Sequence, residues 1–227
     1  MTTLESRRIR ARARAAAQSP LFVTPTGLPR RGRIRFVDVP PRRCLAIEGE
    51  GPPGGTEFQA AIGALYATTY PLHFLLRDHG ASTRIGALEA LWERRDGRAE
   101  GWLSGEFAPF DAPSWRWTLL IELPEEARDE DVASAMAVAR RKHPSPALSR
   151  LVVMTLREGT AVEAMHVGPY ATEPETLERM AALATDAGLE AHGAHHEIYL
   201  GDPRRSQPER LRTVLRQPVR PAAGSPR

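Results

Sequence analysis

The chain has 227 residues, 41% hydrophobic and 26% charged, enough to bury one large core or two fused halves. Its single cysteine, Cys44, excludes an internal disulfide framework and a thiol-ligated zinc site, which suits a reducing compartment. No apolar run approaches the ~18 residues of a membrane span, and the N-terminus has no apolar core of a secretory signal, so a soluble, cytoplasmic protein is expected. All but one of the 31 basic residues are arginine, the exception being Lys142, which reads as coding bias and gives single arginines little weight.

Residues 1–33 hold eight arginines and one acid, Glu5, so the net positive charge belongs to this stretch and the remainder is net acidic. Arginine-alanine alternation followed by Pro20, Pro25 and Pro29 is read first as a disordered extension. A nonspecific contact with nucleic-acid phosphates and an organelle-targeting role are the alternatives. The segment from residue 221 to the end is expected to be a second disordered tail.

Between them, Arg43–Glu48 suits a strand that Gly49, Gly51, Pro52 and Pro53 break. Thr56 is placed as the cap of a helix whose Phe58, Ala61, Ile62, Leu65 and Tyr66 share one face. Ile85–Trp92 and Trp115–Leu123 suit an antiparallel pair; in the second, Trp115, Trp117, Leu119 and Ile121 alternate onto one face. A linking helix is predicted over Asp129–Lys142, with acids at its start and bases at its end. Leu151–Leu156 and Ala161–Val167 read as a hairpin around Glu158-Gly159. A helix over Pro174–Ala187, stopped by Gly188, and strands His195–Leu200 and Thr213–Val219 complete the chain.

The order strand, helix, strand, strand therefore occurs twice, over about 34–123 and about 150–219. Gly49 precedes Leu65 by about the same interval as Gly168 precedes Leu183, which is read as a duplication. The fold class expected is α+β, two tandem strand-helix-strand-strand units forming one domain over residues 34–220, with an aromatic, Glu-containing pocket for a small organic molecule.

The densest polar cluster is His192, His195, His196, Glu197, Tyr199 and Asp202. Alternation places His195, Glu197 and Tyr199 on one face of the strand and His196, Ile198 and Leu200 on the other. A metal reading of the three histidines competes with simple hydrogen bonding at a sheet edge; the helical His-Glu-x-x-His pattern is absent and the strand splits the pair. An inward carboxylate at Glu197 needs a partner, water or a ligand; it suits a general base or a counter-charge to a cation, unless it pairs with an arginine such as Arg204. Tyr66, Tyr70, Trp92, Trp115, Trp117, Tyr170 and Tyr199 are core residues or, as a group, walls for a flat molecule.

His166-Val-Gly-Pro-Tyr170, His195-His-Glu-Ile-Tyr-Leu200 with Asp202-Pro-Arg204, and Leu211 to Val219 resemble the GyrI-like small-molecule-binding domain. Leu65-Tyr66 with Tyr70, Leu88 to Trp92, Trp115 to Leu119 and Glu158-Gly159 extend the resemblance over roughly residues 36–219. It implies two units related by a pseudo-twofold with ligand in a groove between them. The stand-alone subgroup is similar to enzymes that hydrolyse cyclopropanoids, opening the strained ring of cyclopropylpyrroloindole DNA-alkylating products.

By that resemblance Glu197 is the pocket glutamate; the ring opening would then need Glu197 to activate water and a phenol, Tyr70 as first choice, to donate to the developing phenolate. Tyr66, Trp92, Trp117, His166, Tyr170 and Tyr199 contact the substrate, a small planar aromatic natural product. No metal, cofactor, membrane or specific nucleic-acid partner is implied. The sequence departs from the family pattern in its basic extension and at Ala87-Leu88-Glu89-Ala90. Non-catalytic sequestration of a small molecule is the rival reading, and regulation through DNA by the basic extension a third.

Overall fold

The computed structural model describes residues 27–81, 83–94 and 115–223. The greater part of the basic extension, residues 1–26, and the last four positions lie outside the described residues. The fold is α+β, with nine strands and three α-helices among the described residues. Contacts divide these residues into two compact units, one formed by 41–94 and 115–156 and the other by 27–40 and 157–223.

The first, here the tryptophan unit, contains strand β2 (Arg42–Glu50), helix α1 (Thr56–Asp78), strands β3 (Leu88–Arg94) and β4 (Trp115–Glu122), helix α2 (Asp129–Lys142) and strand β5 (Val152–Leu156). Its antiparallel strands run in the order β3-β4-β2-β5. Helix α1 starts one residue earlier than its sequence suggests: Gly55 is the N-cap, Thr56 is already helical, and no side chain caps the end. The helix continues through Pro71, since Leu72 and Leu76 beyond it are buried and tertiary packing outweighs the missing amide hydrogen. Helix α2 has the predicted bounds and packs on α1 within this unit, so it does more than link the halves. Asp131 Oδ2 accepts the Arg128 amide at 3.0 Å to close its N-terminus.

The second, here the carboxylate unit, contains β1 (Ile34–Val39), β6 (Gly159–Val167), helix α3 (Glu173–Asp186), β7 (Leu189–Ala191), β8 (His195–Tyr199) and β9 (Arg212–Pro221). Its order is β1-β6-β9-β8, antiparallel throughout, with β7 also on β9. Val162, Ala164 and Leu215 of the sheet meet Leu177, Met180 and Ala184 of α3 in a core that fixes which sheet face the helix covers.

Four expectations are corrected. Residues 34–39, expected in the first half, form β1 and pair residue for residue with β6, because buried Val37 and Val39 alternate with exposed Asp38 as a strand along that edge requires. Strands β5 and β6 are no hairpin: β5 pairs with β2, and β6 with β1 and β9, so the chain passes from one unit to the other between them. Residues 27–33 are not a free tail, as Arg31 bridges Met165 and the Gly27 and Gly32 carbonyls accept from Arg35 and Arg179. At the other end β9 runs to Pro221, and Ala222 and Ala223 donate to the Gly188 carbonyl and to Glu190.

Candidate functional site

Strand β8 carries different chemistry on its two faces. Register sets Glu197 opposite Leu215 and Tyr199 opposite Thr213, and Thr213 in turn stands opposite His166 on β6. Leu215 belongs to the core under α3, so Glu197, Tyr199, Thr213 and His166 all lie on the helix-covered face. Glu197 is 3% exposed and its Oε2 accepts the Tyr199 hydroxyl at 2.7 Å. The Tyr199 ring meets Tyr170 edge to face, centroids 6.1 Å apart.

A second carboxyl joins this face from α3. Glu173, the first residue of the helix, is 3% exposed and lies near Thr213 and within reach of the Glu197 charge. Burial, reinforced by the Glu197 charge, raises its pKa well above 4.5, so Glu173 holds its proton where ordinary carboxyls have lost theirs. Its Oε1 is buried with no hydrogen-bond partner among the described residues. Burial first, then Glu197 and Glu173, push the Tyr170 phenol up to about 12.

His195 Nε2 stands 3.9 Å from Glu197 Oε1, beyond hydrogen-bond reach. Burial holds its imidazole down to about 3, so it faces the carboxylate as a neutral ring. His166 is a structural member of this face: Nδ1 meets Thr176 Oγ1 at 3.0 Å and Nε2 meets Thr172 Oγ1 and the Pro169 carbonyl at 3.2 Å. These bonds hold the turn into α3, and Gly168, at φ 147°, serves that turn because a Cβ there would meet Thr172 and His166 at 3.2 and 3.4 Å.

The opposite sheet face carries a rung of charges. His196, Arg216, Glu163 and Arg35 are successive cross-strand partners over β8, β9, β6 and β1. Glu158 accepts from His196 Nδ1 at 2.8 Å and Arg216 Nη1 at 3.0 Å, while Glu163 accepts from Arg216 Nε at 3.0 Å and Arg35 Nε at 2.8 Å. His196 is thus a buried partner of Glu158, and Arg204, the arginine considered for Glu197, makes a bidentate pair with Asp202. Among the described residues no group of three or more histidine, cysteine or acidic side chains is arranged to hold a metal.

The remaining candidates lie in the tryptophan unit. Trp92 and Trp117 are cross-strand partners, 1% and 2% exposed, with Phe58 of α1 stacked on Trp92 at 5.8 Å and edge-on to Trp117 at 5.3 Å. The Trp117 ring lies over its other partner, Gly49, where a Cβ would fall 2.1 Å from ring carbon. The Trp117 indole nitrogen has no hydrogen-bond partner among the described residues. Tyr66 and Tyr70, centroids 5.9 Å apart, line an open apolar groove of about 800 Å³ along α1 and α2, and Tyr70 is half exposed.

Of the sequence-predicted site residues, the structure thus brings Glu197, Tyr199, Tyr170 and His166 onto one face, pairs Trp92 with Trp117, and pairs Tyr66 with Tyr70. Glu173, Thr213 and Gln217, which faces His195, were not singled out by the sequence. The one available signal for Glu173 was its place four residues after the His166-to-Tyr170 motif begins to turn, which an acid at a helix start does not distinguish from a solvent-facing residue.

Comparison with known proteins follows the same lines. A family model described as the GyrI-like small molecule binding domain matches residues 122–220. An uncharacterized conserved protein from Listeria innocua matches with a TM-score of 0.74 and 33% identity, over 85% of this chain and 94% of its own. A Listeria innocua protein named as a hydrolase matches with a TM-score of 0.70 and 31% identity, over 85% and 94%. A further structure named as a Listeria innocua hydrolase gives 0.69 and 32%, over 84% and 93%. None of the curated proteins matches. Among the described residues no helix is long and apolar enough to cross a membrane.

Proposed function

The chain belongs to the GyrI-like small-molecule-binding family, and from that premise we propose that it is a hydrolase of small planar aromatic molecules. The reaction proposed is the addition of water to the cyclopropane of cyclopropylpyrroloindole-type alkylating compounds, which would disarm them before they reach DNA. The observation that carries this reading is Glu197, a carboxylate 3% exposed whose Oε2 is held at 2.7 Å by the Tyr199 hydroxyl on the helix-covered face. The hydrolase names of two relatives about one third identical support it.

A spirocyclopropane conjugated to a dienone is already electrophilic, and its opening restores an aromatic phenol. The protein has mainly to place and partly deprotonate one water. Glu197 does this in the proposed mechanism. Its carboxylate is oriented by Tyr199 and kept from bulk water, so it meets the attacking water in one geometry. Tyr170, edge-on to Tyr199, offers flat surface to the ligand's rings.

The test is mass spectrometry of a cyclopropylpyrroloindole incubated with catalytic amounts of protein. Many turnovers of a product heavier by one water, reduced about 100-fold or more in a folded Glu197→Gln variant, are expected. Saturable binding without product would replace the enzyme reading with sequestration. The same assay with Tyr70→Phe decides whether Tyr70, expected from the sequence as donor to the developing phenolate, or another acid fills that role.

A further inference from the structure

The geometry points to Glu173 as a second functional carboxyl of this site, a neutral acid that donates its proton to the carbonyl oxygen of the bound ligand. This rests on the hydrolase reading for its catalytic consequence and extends the ligand class to flat molecules that carry a conjugated carbonyl.

Three observations lead there. Glu173 and Glu197 stand beside a pair of facing residues: Glu197 receives the Tyr199 hydroxyl, Glu173 lies close enough to Thr213 to feel its hydroxyl, and Tyr199 and Thr213 are direct cross-strand partners whose side chains leave the same sheet face. Glu173 is 97% removed from solvent by a relative exposure of 3%, yet its Oε1 has no hydrogen-bond partner among the described residues, a costly arrangement unless something else meets it. The position is also held firmly, as the first residue of α3 behind the turn that His166, Thr172 and Thr176 tie down.

Burial, reinforced by the neighbouring Glu197 charge, raises the Glu173 pKa well above 4.5 and so favours its protonated form. The groups facing it are Glu197 and Thr213 across the sheet and Tyr170 in the preceding turn, whose phenol is itself kept protonated. The other titratable groups nearby, His166 and His195, are both lowered by burial, so no cation on this face competes for the role of donor. A protonated carboxyl in a low-dielectric site is a strong hydrogen-bond donor to a carbonyl that gains negative charge.

The step balances without any co-reactant. Water oxygen bonds to the cyclopropane methylene as the ring carbon–carbon bond breaks, and that electron pair aromatises the ring and passes to the dienone oxygen. The Glu173 proton goes to this oxygen, giving the phenol, while Glu197 takes a proton from the water. Transfer of that proton from Glu197 to Glu173 restores the starting state.

The experiment uses the full chain and a spirocyclopropyl cyclohexadienone, with infrared difference spectra of the bound ligand beside the pH profile of turnover. Expected are a carbonyl stretch moved to lower frequency in the parent and in Glu197→Gln, and a loss of that movement in Glu173→Ala. Turnover of the parent should fall on the alkaline side as Glu173 ionises. Glu173→Gln should lose about 100-fold or more in rate together with that limb, with partial recovery in Glu173→Asp. Parental rate and an unchanged alkaline limb in Glu173→Gln, or an unshifted carbonyl in the parent, would overturn the assignment. A shifted carbonyl with no turnover would end the hydrolase reading and leave the donor standing; a dienone that does not bind would end both.

Discussion

The same position in the two units is filled by opposite chemistry. In each, the penultimate residue of the strand that leads into the helix begins a rung across three strands: Gly49-Trp117-Trp92 over β2, β4 and β3, and His166-Thr213-Tyr199 over β6, β9 and β8. In the tryptophan unit the start of α1 adds Phe58 to this rung, and the assembly is apolar and closed. In the carboxylate unit the start of α3 adds Glu173, Glu197 sits two residues from Tyr199, and the assembly is polar and buried. One unit gains stability from that position, where Trp and Phe side chains bury large areas. The other keeps two acids out of water there, which costs stability and suits chemistry.

The comparison also explains how the carboxylate unit tolerates its acids. The reverse face of its sheet carries the continuous rung of His196, Arg216, Glu163 and Arg35, closed by Glu158, in which each charge has an opposite neighbour. Removing Arg216 would leave Glu158 with His196 alone and Glu163 with Arg35 alone, both carboxylates buried. Arg216→Ala is therefore expected to lower stability by about 3–5 kcal/mol, read from urea unfolding. A change no larger than that of an exposed substitution would mean that the rung does not support the unit.

Packing is the corresponding weak point of the tryptophan unit. Gly49→Ala puts a methyl into the space of the Trp117 ring, and a loss of about 1–3 kcal/mol is expected. Trp117→Phe in the same chain should recover part of it, because the smaller ring vacates the space. Additive effects of the two substitutions would show that they do not share that space.

How much of this the sequence revealed depends on whether the relevant contact is local. Alternation along His195 to Tyr199 placed Glu197 and Tyr199 on one face and His196 on the other, as their partners now demonstrate. The charge order of residues 129–142 located α2 to the residue. Partner choice was not local: strands β5 and β6 were recognisable, but nothing in Leu156 to Gly159 told that their neighbours lie elsewhere in the chain. Residues 34–39 were assigned to the first half, and only their pairing with β6 and the ion pair of Arg35 with Glu163 place them in the other unit. Glu173 is the sharpest case, since an acid at a helix start ordinarily faces water and complements the dipole, and only the sheet beneath it makes it buried.

That burial gives the two units different responses to pH, and Glu173→Gln isolates the difference. The folded Glu173 carboxyl keeps its proton well above 4.5, whereas the unfolded chain releases it near that value. From about pH 4.5 upward the unfolded state therefore binds fewer protons than the folded one, and this residue makes stability fall as pH rises until its folded pKa is passed. Glutamine has no proton to lose. The stability difference between Glu173→Gln and the parent, followed by urea unfolding, is expected to be small at low pH and to grow in favour of the variant as pH rises. Trp117→Phe should change stability by an amount independent of pH, since nothing that titrates is added or removed. A pH-independent difference for Glu173→Gln as well would mean that its carboxyl ionises as an exposed one does, and the contrast between the two rungs would then be one of shape alone.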